Sequence, residues 1–191
     1  MRVLTGMAAV GFSTAYVASD LIEITQGGFS TGQLLLTYAA EAALPLFVLG
    51  IFAVQRPLIG RLGLFGAVLY AYTYVFFTST VIYCLIEQTP DWETLAQIMG
   101  PWITVHGVLM VLAGSCLGVA VARAGVLPAW TGYLLIAGVW LVALTNELPD
   151  GLRVTAATVR AAAFIAMGVA ILRLTPAGRG ESRPEAAVRS V

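Results

Sequence analysis

Apolar residues run almost without interruption through most of this chain, broken at intervals by short polar clusters. Six segments emerge, at about Val3–Ile22, Leu34–Phe52, Leu62–Ile86, Pro101–Val121, Pro128–Thr145 and Leu152–Leu172. None alternates with the period of two expected of a strand, and each has close to the roughly 20 residues an α-helix needs to cross a hydrocarbon core of about 30 Å. The breaks carry turn chemistry. Gln26-Gly27-Gly28-Phe29-Ser30-Thr31-Gly32 ends the first segment, Gln55-Arg56-Pro57 the second, the polar stretch Glu87–Glu93 the third, Arg123-Ala124-Gly125 the fourth and Asn146–Gly151 the fifth. A short segment at Thr94–Met99 is expected to lie at the interface, and Pro128 suits a first helical turn. The fold class is therefore all-α, a polytopic six-transmembrane-helix bundle over residues 1–174. Residues 175–191, rich in Arg, Pro, Glu and Gly, read as a disordered cytoplasmic tail.

Composition agrees. Of 191 residues, 59% are hydrophobic and only 10% charged, against about 25% charged in soluble domains. All ten cations are arginine, a usage that fits a GC-rich bacterial genome and hence an inner membrane. Arg2, Arg56, Arg61, Arg123, Arg173, Arg179, Arg183 and Arg189 fall on one side of the alternating pattern. Asp20, Glu23, Glu87, Asp91, Glu93, Glu147 and Asp150 fall on the other, balanced only by Arg153. By the positive-inside rule both termini are cytoplasmic. Met1–Ser19 also has the outline of a cleavable signal peptide, but the charge alternation needs the first helix to be retained. Net charge is zero with no basic block on a folded surface, so nucleic acid is not an expected partner; membrane lipids and a small lipophilic ligand are. Cys84 and Cys116 are placed at different depths, on the order of 20 Å apart, too far for a disulfide. His106 is the only histidine, which argues against a bis-His haem or a His-rich metal site, and no cofactor is expected.

The second segment carries one carboxylate, Glu41, and four residues later Pro45, which lacks an N–H and frees the Glu41 carbonyl. An ionisable group at this depth is expensive and invites a functional reading; the alternative is a hydrogen-bonded structural group that holds helices in register. Glu41 lies roughly 12 Å below Gln33, Arg160 about 10 Å below Arg153, and His106 about 8 Å below Pro101. All three belong to the outer half, and Glu41–Arg160 is the expected ion pair. The expected site is one outer pocket with Glu41 and His106 as candidate catalytic groups and Arg160, Glu147, Asn146, Asp20 and Trp102 as ligand-binding groups. Tyr83 and Glu87, four apart on one helix face, stand at its mouth. Tyr38, Phe76, Phe77 and Trp140 add aromatic faces in the same half, which singly read as core or interfacial belt. Glycines at 114 and 118, at 60, 63 and 66, and at 132 and 138 allow close helix approach.

The run His106–Gly138, with its helix, short basic turn and Leu-Pro-x-Trp-x-Gly-x-Leu-Leu-Ile-x-Gly, resembles an uncharacterised family of bacterial six-helix integral membrane proteins. That resemblance implies a fold and no activity. Small integral-membrane terpene cyclases are similar in size, helix number and intramembrane acids. Three readings follow, in order: a membrane protein binding a small lipophilic molecule in an outward-opening site, or serving structurally; an isoprenoid cyclase with Glu41 as general acid, its carbocation stabilised by aromatic faces; and a proton- or cation-coupled transporter. Transport ranks last because the inner halves of the fourth and sixth helices carry no charge between His106 and Arg123 or between Arg160 and Arg173.

Overall fold

The computed structural model describes residues 1–146 and 148–174, and among these the regular structure is entirely helical. The helices are α1 (Arg2–Gln26), α2 (Thr31–Val54), α3 (Gly60–Glu87), α4 (Trp92–Met99), α5 (Pro101–Ala124), α6 (Ala129–Leu144) and α7 (Asp150–Arg173). Every apolar segment has become a helix, extended by a few residues where polar caps continue it. The interfacial segment is α4. The expected tail at 175–191 lies outside the described residues.

Local chemistry sets the ends. Gly27, with φ 70°, closes α1 in the left-handed region, its N–H reaching the Glu23 and Ile24 carbonyls. The Ser30 side chain accepts from the Gln33 N–H to start α2, and Asp91 accepts from the Thr94 N–H at 2.8 Å to start α4. Pro101 then opens α5, where a missing N–H costs nothing. Pro45 sits inside α2, which continues as helix through it.

Five helices, α1, α2, α3, α5 and α7, are long and apolar enough to cross a membrane. The sixth apolar helix, α6, has 16 residues, or about 24 Å of rise, short of a full core on its own. The chain is thus a multi-pass membrane protein by the length and composition of its helices.

The long helices form a closed ring. α1 packs on α2 and α7, α2 on α3, α3 on α5, α5 on α6, and α6 on α7. Small residues sit at the crossings. A Cβ on Gly132 would strike the backbone oxygen of Gly118, and one on Gly66 would strike the Leu117 backbone, so α5 touches α6 and α3 with almost nothing between the main chains. Gly6 and Gly168 do the same where α7 closes the ring on α1. Of the glycines expected at contacts, Gly60 instead takes φ +66° at the start of α3 with open space around it. The core is filled by Phe47, Tyr70, Tyr74, Leu117, Leu135, Phe164 and Met167, with Tyr70 and Phe47 both meeting Phe164 edge-on.

At the acidic end the turns are tied together. The Phe29 N–H donates to the Pro90 carbonyl at 2.7 Å. Arg153 pairs with Asp150 at 2.6 Å and Glu23 at 3.7 Å while lying 5.8 Å from the Trp92 ring. The Thr94 N–H, by favouring the ionised form, holds the Asp91 carboxyl below its ordinary range.

Candidate functional site

Two helix faces meet at the α1–α2 seam. On α2, Gln33, Thr37 and Glu41 recur every four residues and are all buried; on α1, Tyr16, Ser19, Asp20 and Glu23 occupy successive turns. Packing α1 on α2 joins them. The Gln33 amide nitrogen donates to the Ser19 and Thr37 hydroxyls, each at 3.1 Å, and reaches Glu23 Oε2 at 3.5 Å. The two hydroxyls stand 2.5 Å apart, and each also faces the Gln33 carbonyl at 3.1 Å. Glu41 is one turn deeper than Thr37 and 5% exposed. Two acceptors in this seam remain without a protein donor, Gln33 Oε1 near its outer end and Glu41 Oε2 at its inner end.

Beside the inner end lies a narrow crevice of about 10 Å³, room for about one water. Phe12, Ser13 and Tyr16 of α1, Leu44 and Phe47 of α2, and Arg160 of α7 line it, with Tyr74 of α3 behind. Phe12 is the most exposed of these, so the crevice opens past α1 toward the bundle's outer surface. Arg160 is 6% exposed, and its placement depends on Gly138 of α6, where a Cβ would collide with the Arg160 backbone.

The surroundings of Arg160 differ from the expected ion pair. Among the described residues no carboxylate oxygen comes within 4.0 Å of its guanidinium. Instead the guanidinium carbon lies 5.3 Å from the Tyr16 ring and 5.7 Å from the Tyr74 ring, and Nη1 meets Met110 Sδ at 3.3 Å. Glu41 and Asp20 are close enough to interact with it through space, but not as contact partners. The physical reason is geometric. Arg160 is buried inside the ring, where Tyr16, through its hydroxyl as well as its ring, Tyr74 and Met110 are the groups it touches.

His106 occupies a different seam. Its ring stacks flat on Phe76 of α3, with centroids 3.6 Å apart and planes 6° from parallel, and its Nδ1–H donates to the Trp102 carbonyl one turn back at 2.9 Å. Neither His106 nor Arg160 donates to the Glu41 carbonyl that Pro45 frees. Asp20, 9% exposed, joins the seam. Tyr83 packs against the small outer cluster around Leu34, Cys84 and Ile103, while Glu87 is exposed at the end of α3 and Trp102 is 62% exposed. Asn146 is half-buried just past α6, and Glu147 lies outside the described residues. The structure therefore gathers Glu41, Asp20 and Arg160 around the α1–α2–α7 junction and sets His106, Tyr83, Glu87 and Trp102 elsewhere.

Tyr16, Ser19, Gln33, Thr37 and Met110 are the neighbours that sequence reasoning passed over. A signal existed: polar groups at 33, 37 and 41 share one helix face inside an otherwise apolar segment, as do those at 16, 19 and 23.

No family model, curated protein or solved structure matches this chain.

Proposed function

We propose that this protein binds a membrane-dissolved amphiphile with a single anionic head, taken up by Arg160 at the α1–α2–α7 junction while the apolar tail lies along the bundle past Phe12. The observation that carries the reading is the company Arg160 keeps. A cation at bilayer depth is costly unless paired. Two aromatic faces contribute on the order of 2 kcal/mol each when desolvated, less than a bonded anion would. The planar guanidinium is suited to a carboxylate, phosphate or sulfonate head. The crevice walls beyond it are Leu44, Phe47 and Phe164, which offer nothing to a polar tail. A crevice with room for about one water encloses no folded isoprenoid chain, so binding of a head group at its mouth is favoured over cyclase chemistry.

The setting for this site is an inner-membrane bundle of six spans with both termini in the cytoplasm. The arginine split supports that orientation, and the closed ring supports counting α6, which α5 and α7 flank on either side, as the sixth span. The acidic, α4-bearing end then faces outward, and the junction lies in the outer half.

Untargeted mass spectrometry of lipids carried through purification tests the reading. Wild-type protein should retain an anionic single-headed lipid that Arg160→Gln protein, purified from the same membranes, retains at least severalfold less. Matching lipid profiles from the two would overturn it.

A further inference from the structure

Glu41 has no role in the site as described, yet its position beside Arg160 gives it one. We propose that Glu41 couples the site to protons: an anion at Arg160 and a proton on Glu41 bind together, so the amphiphile is taken up with a proton and released as Glu41 ionises. This rests on the reading of Arg160 as the anion-binding group.

Three observations carry it. First, Glu41 is buried next to the crevice wall formed by Ala40 and Leu44, and its Oε2 has no protein donor. Whatever charge Glu41 holds is therefore not cancelled by a bonded partner and is felt at Arg160. Second, charges act over longer range where little water intervenes. An ionised Glu41 opposes an incoming anion at the guanidinium and a neutral one does not, whether or not the two side chains touch. Third, Glu41 stands one turn below the inner end of a polar seam that runs to the outer turn, with no hydrogen bond joining it to Thr37. Glu23, Gln33, Ser19 and Thr37 form a continuous hydrogen-bonding series from the outer turn to the turn above Glu41, on an otherwise apolar pair of helices. A carboxyl that exchanges its proton needs polar groups along its way to water, and Gln33 Oε1 and Glu41 Oε2 are two acceptors on this helix face without a protein donor.

The ionisable groups facing Glu41 are few. From α1 come Tyr16 and Asp20; from α3, Tyr74 and Cys84; from α7, Arg160. Asp20 is the one other carboxylate that senses Arg160 strongly, so it is the necessary control.

The test measures binding of dodecanesulfonate to the full chain in phosphatidylcholine nanodiscs by calorimetry, against empty discs, from pH 5 to pH 9. The sulfonate keeps its charge throughout, so any pH dependence belongs to the protein. Wild-type affinity should fall at least tenfold toward pH 9, with net proton uptake on binding as pH rises. Glu41→Gln should bind across the range with less than twofold change, and Asp20→Asn should keep most of the wild-type slope. Affinity that is flat with pH in the wild type, or a slope that survives Glu41→Gln, overturns the coupling. Binding at pH 5 that is lost in Arg160→Gln while the wild-type profile is flat leaves the anion site standing and removes only the coupling. Binding unaffected by Arg160→Gln removes the site itself. The Glu41→Gln profile decides the coupling even if Arg160→Gln fails to fold.

Discussion

The α1–α2 and α5–α6 interfaces are both tight, both buried and made of neighbouring antiparallel helices, yet they are built from opposite materials. Between α5 and α6 the contact is main chain on main chain, with Gly118 and Gly132 admitting no Cβ at all. Between α1 and α2 it is side chain on side chain, a series of carboxyl, amide and hydroxyl groups from Glu23 to Thr37, one turn above buried Glu41. In lipid there is no hydrophobic gain from pressing helices together, so close van der Waals packing must supply the adhesion, and glycines supply it most directly. Interhelical hydrogen bonds contribute only about 1 kcal/mol each, because the separated helices find other partners. A polar seam is thus a poor choice if adhesion is all that is required. Adhesion alone therefore does not account for a polar seam on this side of the ring.

The comparison can be broken most sharply at the glycine seam. Gly132→Leu should cost about 3 kcal/mol or more through forced separation of α5 and α6, seen as a large drop in melting temperature in detergent. Gly107→Leu, where the added Cβ meets nothing within 4 Å, should change little. Equal losses at the two positions would mean the close approach carries no packing energy.

A smaller effect is expected at the polar seam. Thr37→Val keeps the shape and removes the hydroxyl that stands between Ser19 and Gln33. It should lower stability by about 1 kcal/mol, while sharply slowing hydrogen–deuterium or proton exchange at Glu41 followed by the carboxyl infrared band. A stability loss as large as that of Gly132→Leu would make the seam a structural weld after all.

The smallest effect lies outside the membrane, at the α4 cap. Asp91→Ala should cost about 1 kcal/mol, confined to α4, and read as faster amide exchange over Trp92–Met99. The Asp91 carboxyl is held below its ordinary value in the folded chain. Its contribution is therefore complete above the ordinary carboxylate range and disappears as pH falls through the folded value. At pH 7 the variant and wild type should differ, and the difference should shrink as pH falls below the ordinary carboxylate range; a difference that does not change with pH would show that ionisation is not what makes the cap.

The sequence by itself determined the helices, their approximate ends and the asymmetry between an arginine end and an acidic end, because hydropathy over 20 residues and charge at the breaks are local properties that the bilayer imposes on each segment separately. It also singled out Glu41, Arg160 and Asp20, since an ionisable group in an apolar run is conspicuous wherever it points. What it left open was rotation. The depths of Glu41, Arg160 and His106 agree closely when counted along their helices, and depth alone made one pocket and one ion pair of them. Which way each faces depends on how six cylinders turn about their axes when the ring closes. That rotation is fixed by contacts far apart in sequence, Gly138 against Arg160, Gly66 against Leu117, Gly6 against Gly168. Only the closed ring turns His106 onto Phe76, places Tyr16 and Tyr74 around Arg160 and leaves Glu41 at the foot of the polar seam.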